Sequence, residues 1–179
     1  SKHKLEFQDE AYHLVVARLE PENHVETIIK GYSLRDRKWP LIIVGPHNTV
    51  HSKSLMKYDG KVSFIGGIYD KNELSSLRKH SGAYWHGHSV GGTNPSLLEA
   101  MANGNICCCH DNVFNESTLG RSEFFWQSPE DVDRIMNRLE GSINSLERAY
   151  IASRNKAVIS KRFTWKIIGD KYLNVFSDE

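Results

Sequence analysis

The sequence has little that would direct it to a membrane or to a nucleic acid. Its 179 residues contain no apolar stretch approaching the length of a membrane span, and the polar start lacks the apolar core of a signal peptide. Lys and Arg number 23 against 22 Asp and Glu, so a formal net charge of +1 provides no basic field. We therefore expect no nucleic-acid partner, and membrane contact that is at most peripheral.

Cysteine is scarce and occurs in one place only, as the consecutive residues Cys107, Cys108 and Cys109. Neighbouring side chains of a strand point to opposite faces, so this run predicts neither a disulfide framework nor a CxxC metal site. Cysteine behaves as a small apolar residue in a buried strand, and free thiols are typical of a reducing compartment. We expect a cytoplasmic location.

Short apolar runs alternate along the chain with amphipathic helical patterns. The runs predict strands at 12–17, 41–44, 62–65, 84–87, 106–110 and 123–126. Repeated βα units favour a Rossmann-like parallel sheet of about six strands, with helices on both faces and right-handed crossovers. From Ser145 we expect helix to the end, broken near Arg162, with an apolar stripe at Trp165, Ile168, Tyr172 and Phe176. The fold class is therefore α/β, in one domain over 1–179.

One loop combines adjacent glycines with the signals that start a helix. Gly91 and Gly92 follow the fourth predicted strand, and Asn94 before a proline is placed to cap the next helix. Unpaired N–H groups and the helix dipole make such an end suited to anions, and glycine lets a ligand approach the backbone. The amides of Gly92, Thr93 and Asn94 are candidate phosphate donors. Glu99, one turn further, is placed to accept hydrogen bonds from ligand hydroxyls.

Four segments carry patterns in a fixed order. They are Val-Val-Ala-Arg-Leu-Glu-Pro-Glu at 15–22, Phe-Ile-Gly-Gly at 64–67 with Asn-Glu-Leu at 72–74, Ser-Leu-Leu-Glu-Ala-Met-Ala-Asn-Gly at 96–104, and Phe-Thr-Trp-Lys-Ile at 163–167. Together they resemble the C-terminal, nucleotide-sugar-binding domain of family 4 glycosyltransferases of the GT-B fold. The resemblance covers nearly the whole chain, and it implies that the N-terminal acceptor-binding domain is absent. Segments 88–99 and 110–116 resemble the bacterial rhamnosyltransferase-like branch, which acts in cell-surface polysaccharide synthesis.

The resemblance implies a donor and a role for particular residues. The donor would be a dTDP-, UDP- or GDP-linked sugar, transferred with retention to a saccharide acceptor, and neither a cofactor nor a metal is implied. Arg18 is the implied catalytic residue, stabilising the leaving diphosphate, and Glu99 is the implied ligand of the nucleotide ribose. Ile68 and Tyr69 occupy the place where the family holds the base. Residues that follow a later strand are candidates for contact with the sugar: Asn112, Asn115 and Glu116.

Two positions depart from the pattern of the family. Asn23 stands where the family has a lysine that contacts the diphosphate. Gly91 stands eight positions before Glu99, where the family has a glutamate that touches the donor sugar. We include both among the nucleotide-sugar-binding positions. The departures imply one cation fewer and a different sugar, such as a 6-deoxyhexose.

Two other functions remain open from the sequence. One is a non-catalytic module that retains nucleotide affinity, which the two departures favour. The other is a metal-dependent hydrolase, since His86 and His88 would point the same way from a strand and His110 ends the next one. The Asp-Val-Asp run at 131–133 imitates a metal motif, but it lies within a capped amphipathic helix and is predicted to be structural.

Overall fold

Six parallel strands form one sheet in the order β3-β2-β1-β4-β5-β6. The structure is a computed structural model that describes residues 11–120, 122, 124–164 and 166–169. Strands β1 to β6 span His13–Val16, Leu41–Val44, Ser63–Gly66, Ala83–His86, Cys107–His110 and Phe125–Trp126. The prediction of a six-stranded Rossmann-like α/β sheet is confirmed.

Seven α-helices connect and follow these strands in the described ranges. Helices α1 to α7 span Val25–Tyr32, Val50–Leu55, Lys71–Lys79, Pro95–Asn103, Val113–Leu119, Pro129–Gly141 and Ser145–Arg162. The sequence patterns predicted no helix at α5. Its Val113 and Phe114 are exposed, so α5 lacks the apolar stripe by which helices are recognised.

The central strands are covered by helices on both faces, which explains their uninterrupted apolar sequences. Cys108 packs with Trp85 in one core layer, whereas Cys107 and Cys109 pack with Tyr84 in the other. All three thiols are buried and free. The prediction that they serve as small apolar residues on alternate faces of a strand is confirmed.

The ends of α4 follow the signals in its sequence. The Asn94 side chain accepts a hydrogen bond of 2.9 Å from the Ser96 amide, and Pro95 is the first helical residue. Gly104 ends the helix with a φ of 82°, a conformation that favours glycine. The Asn94 cap fixes the residue at which α4 begins, and Gly104 fixes the residue at which it ends.

Asp133 lies on α6 and binds two guanidinium groups, those of Arg35 and Arg37. Burial acts to raise its pKa, but the hydrogen bonds from these arginines outweigh burial and hold the pKa of this carboxyl below its ordinary value. Asp131 forms a capping box with Ser128 at the start of the same helix. The prediction that both aspartates are structural is confirmed.

The C-terminal helix breaks where the sequence predicts. Helix α7 ends at Arg162, and Phe163 departs from helical geometry. Of the predicted stripe that follows, Trp165, Tyr172 and Phe176 lie outside the described residues. No helix within the described ranges is long and apolar enough to cross a bilayer.

Helices α1 and α6 pack closely at Gly31. A Cβ atom at this position would lie 2.5 Å from the Pro129 carbonyl oxygen and 2.5 Å from Val132 Cβ. We expect Gly31→Ala to lower the free energy of unfolding by about 1–3 kcal/mol, because the helices must separate to admit the methyl group. Thermal denaturation should show a loss of about 2–4 °C for each kcal/mol.

Gly141→Ala is the matched control, since Gly141 is also helical but an added Cβ there has no atom of the described chain within 4 Å. Alanine is the better helix former, so this variant should keep or slightly raise the melting temperature. Equal losses in the two variants would show that the close packing of α1 on α6 is not the cause.

Candidate functional site

An open cleft of about 370 Å³ lies at the carboxyl ends of β1 and β2, beside the start of α4. The strand order reverses between β1 and β4, and ligands of open α/β sheets bind at such a switch point. Five residues predicted from the sequence line this cleft: Arg18, Ile68, Tyr69, Asn94 and Glu99.

The N-terminus of α4 presents open donors beside the cleft. The backbone amides of Gly92, Thr93 and Asn94 donate to no described residue. An added Cβ at Gly91 or Gly92 would meet no atom of the described residues within 4 Å, so a ligand can approach this backbone closely. Gly91 has a φ of 79°, which turns the chain into the helix and favours glycine. The glycine loop and the open helix N-terminus expected from the sequence are therefore present in the backbone.

Arg18 provides a cation at the other wall of the cleft. Its guanidinium is exposed and makes no ion pair in the described part of the chain, even with the nearby Glu20 and Glu22. The Arg18 carbonyl, by contrast, is held at 2.8 Å by the side-chain amide of Asn23. The backbone is thus fixed while the side chain is free to meet an anion.

Glu99 is held by a residue that the sequence analysis missed. Its Oε2 atom lies 2.8 Å from Nη2 of Arg78, whose side chain is 4% exposed, whereas that of Glu99 is 56% exposed. Arg78 also donates 3.1 Å to the Ser96 hydroxyl. A signal was available, because Arg78 follows Leu74 by four residues and so shares the inward face of α3.

Tyr69 places an exposed aromatic ring at the rim of the cleft. The side chain is 85% exposed, and its hydroxyl would lie 2.9 Å from a Cβ at Gly67, so the ring folds back over the loop after β3. Ile68 lines the cleft beside it. An exposed ring of this kind offers a surface on which a planar base can stack.

Other predicted residues hold loops instead of lining the cleft. The buried Asn23 side chain binds the Arg18 carbonyl and lies 3.0 Å from Nδ1 of His88. The Asn115 amide donates to the carbonyls of His88 and His110, at 3.0 and 2.9 Å. Asn112 caps α5, and Glu116 lies in the first turn of that helix.

Four histidines gather near these loops. The rings of His24 and His110 stack with centroids 4.3 Å apart, and those of His86 and His88 are 6.2 Å apart. Burial, and then the charge of His88, lower the pKa of His86 to about 3. In the described ranges no three His, Cys, Asp or Glu side chains are grouped to hold a metal ion, so His86, His88 and His110 are not brought together as the hydrolase hypothesis requires.

The loops after β1 and β4 are in direct backbone contact. A Cβ at Gly87 would lie 1.9 Å from the Asn23 carbonyl oxygen, so only glycine fits there. The Ser89 amide also donates 3.0 Å to the Glu22 carbonyl. This contact brings the Arg18 loop against the loop that leads to α4.

One family model and several solved structures are similar to this chain. The family model described as glycosyl transferases group 1 matches residues 1–156. No curated protein matches the sequence. The catalytic domain of cholesterol-α-glucosyltransferase from Helicobacter pylori is similar, with a TM-score of 0.70 and 17% identity over 84% of this chain and 99% of that one.

Two further solved structures resemble the chain. HepE from Anabaena, solved with UDP-glucose, has a TM-score of 0.81 and 18% identity over 95% of this chain and 49% of its own. The C-terminal domain of LpcC, a glycosyl transferase group 1 family protein from Francisella tularensis, has a TM-score of 0.69 and 17% identity over 88% of this chain and 89% of its own. These similarities confirm the fold, and the chain spans about half the length of HepE.

The buried His86 makes stability depend on pH. With its pKa lowered to about 3, His86 stays neutral in the folded state, while in the unfolded chain it takes up a proton near pH 6.5. The free energy of unfolding should therefore be highest above pH 6.5 and should fall as the pH decreases toward 3, by up to about 1.4 kcal/mol per pH unit. We expect His86→Asn to make this slope shallower in urea denaturation between pH 7 and 5.

His47→Asn is the matched control, because it removes an exposed histidine and should keep the wild-type slope. An unchanged slope in His86→Asn would show that the ring is not held neutral by burial.

Proposed function

This chain belongs to the glycosyl transferases of group 1, and we propose that its cleft binds the nucleoside diphosphate of a nucleotide-sugar donor. The observation that carries the proposal is the convergence of two positive features on one cleft. Arg18 offers a guanidinium, and the start of α4 offers the amides of Gly92, Thr93 and Asn94, none of which has a partner in the described part of the chain. An anion between them would meet charge and donors already in place.

The same features suit the chemistry of glycosyl transfer. Negative charge develops on the leaving diphosphate as the bond to the sugar breaks. Preorganised dipoles and a guanidinium stabilise that charge without reorganisation, which is the effect expected of a catalytic Arg18. No metal ion or cofactor is needed in this account.

The other end of the cleft suits a nucleoside. The Glu99 carboxylate would accept hydrogen bonds from the ribose hydroxyls, and Tyr69 with Ile68 would hold the base. Because HepE was solved with UDP and with UDP-glucose, UDP is the first nucleotide to test, followed by GDP and dTDP.

The sugar and the acceptor are further parts of the proposal. Gly91 leaves open space where the family has a glutamate, which favours a less polar sugar such as a rhamnosyl group or another 6-deoxyhexose. Retaining transfer to a saccharide acceptor, in cell-surface polysaccharide synthesis, would require an N-terminal partner domain. The three free thiols suit a cytoplasmic location.

A nucleotide-binding module without transfer activity is the second candidate. It is favoured by Asn23, whose buried amide ties two loops together and supplies no second cation at the diphosphate. Both candidates share the same nucleotide site. Release of nucleotide from a donor sugar, measured with the partner domain present, distinguishes them.

Isothermal titration calorimetry with UDP and UMP tests the site. We expect UDP to bind at least about tenfold more tightly, because the second phosphate gains charge-assisted hydrogen bonds. In Arg18→Ala that preference should largely disappear, with UMP affinity nearly unchanged. Addition of EDTA should change neither value.

Arg134→Ala is the matched control, since Arg134 is an exposed arginine of α6 paired with Asp131 away from the cleft. It should keep the wild-type preference. Equal affinity of the wild type for UDP and UMP, or binding that EDTA abolishes, would overturn the proposed function.

A further inference from the structure

Arg78 is a buried cation whose partner faces the cleft. Its Nη2 atom lies 2.8 Å from Glu99 Oε2 and donates 3.1 Å to the Ser96 hydroxyl. The Nε atom is buried and has no hydrogen-bond partner among the residues that the structure describes. The side chain therefore directs its polar contacts toward the first turn of α4.

The two side chains of the pair differ in exposure, and it is the carboxylate that is open to solvent. A buried charge is costly unless it is paired, and Glu99 is the one carboxylate paired with Arg78 among the described residues. Yet the Glu99 side chain is 56% exposed while that of Arg78 is 4% exposed. The arginine is thus fixed in the protein, and the carboxylate it holds is presented to solvent at the rim of the cleft.

The rest of the network keeps Arg78 in place. The Ser96 hydroxyl, which accepts from Arg78, also lies 2.7 Å from the Tyr84 hydroxyl. Both hydroxyls are within 3.3 Å of the Val16 carbonyl at the end of β1. The guanidinium is therefore anchored to the sheet itself and does not depend on α3 alone.

We propose that Arg78 is a positioning residue that holds Glu99 ready for the ribose hydroxyls of the donor. This inference rests on the proposed function. Arg78 fixes Oε2, whereas Oε1 accepts no hydrogen bond from any described residue and remains open to a ligand. A carboxylate fixed before binding loses less conformational entropy when the ligand arrives.

The test compares UDP with 2′,3′-dideoxy-UDP, which lacks both ribose hydroxyls, by isothermal titration calorimetry. In the wild type we expect UDP to bind at least about tenfold more tightly than the dideoxy analogue. In Arg78→Met that ratio should fall to within about threefold, through weaker binding of UDP and nearly unchanged binding of the analogue. A merely structural role would weaken both ligands equally and leave the ratio as it was.

Lys79→Met is the matched control, since it removes the neighbouring, exposed charge of α3 and should keep the wild-type ratio. In a double-mutant cycle, adding Arg78→Met to Glu99→Ala should lower the ratio no further, because the arginine acts through Glu99. If Arg78→Met fails to fold, Arg78→Lys keeps the buried charge but not the planar fork, and the ratio should still fall.

The outcomes separate this inference from the proposed function. A preserved ratio in the Arg78 variants overturns the positioning role alone. A wild type that prefers UDP to UMP but does not distinguish UDP from its dideoxy analogue supports the proposed function and overturns this inference. A wild type that binds no nucleotide overturns both.

Discussion

The candidate site depends on the close approach of two backbone loops, those that follow β1 and β4. Gly87 makes this approach possible, because an added Cβ would lie 1.9 Å from the Asn23 carbonyl oxygen. The loops bring together groups that are far apart in sequence: the exposed guanidinium of Arg18 and the backbone amides before α4. Together they form the anion site that we propose for the diphosphate, with charge and donors in place before binding.

The contact between these loops also explains the role of Asn23, which stands where the family has a lysine. A lysine at that position would bring a second cation, but the asparagine is buried and binds the Arg18 carbonyl and His88 instead. Asn23 therefore fixes the positions of two loops but adds no positive charge to the site. In this account the diphosphate is stabilised by one arginine and by backbone dipoles, whereas the other cation of the cleft, the buried Arg78, is paired with Glu99.

Local patterns predicted most of the fold, and the two features that they missed have different causes. The N-cap at Asn94 and the left-handed C-cap at Gly104 depend on a few neighbouring residues, so the sequence predicted both. Helix α5 was missed because its exposed Val113 and Phe114 give no amphipathic stripe. Periodicity places Arg78 on the inward face of α3, but its role was missed because its partner lies on another helix, and single-sequence periodicity does not identify such partners.

The central claim is that one cleft, at the carboxyl ends of the strands, binds the nucleoside diphosphate. Backbone amide NMR spectra recorded during titration with UDP test it most directly. The account predicts the largest shifts at Gly92, Thr93 and Asn94, with smaller shifts at Arg18 and Glu99. Largest shifts at the amino ends of the strands, around 103–106, or no shifts at saturating UDP would contradict it.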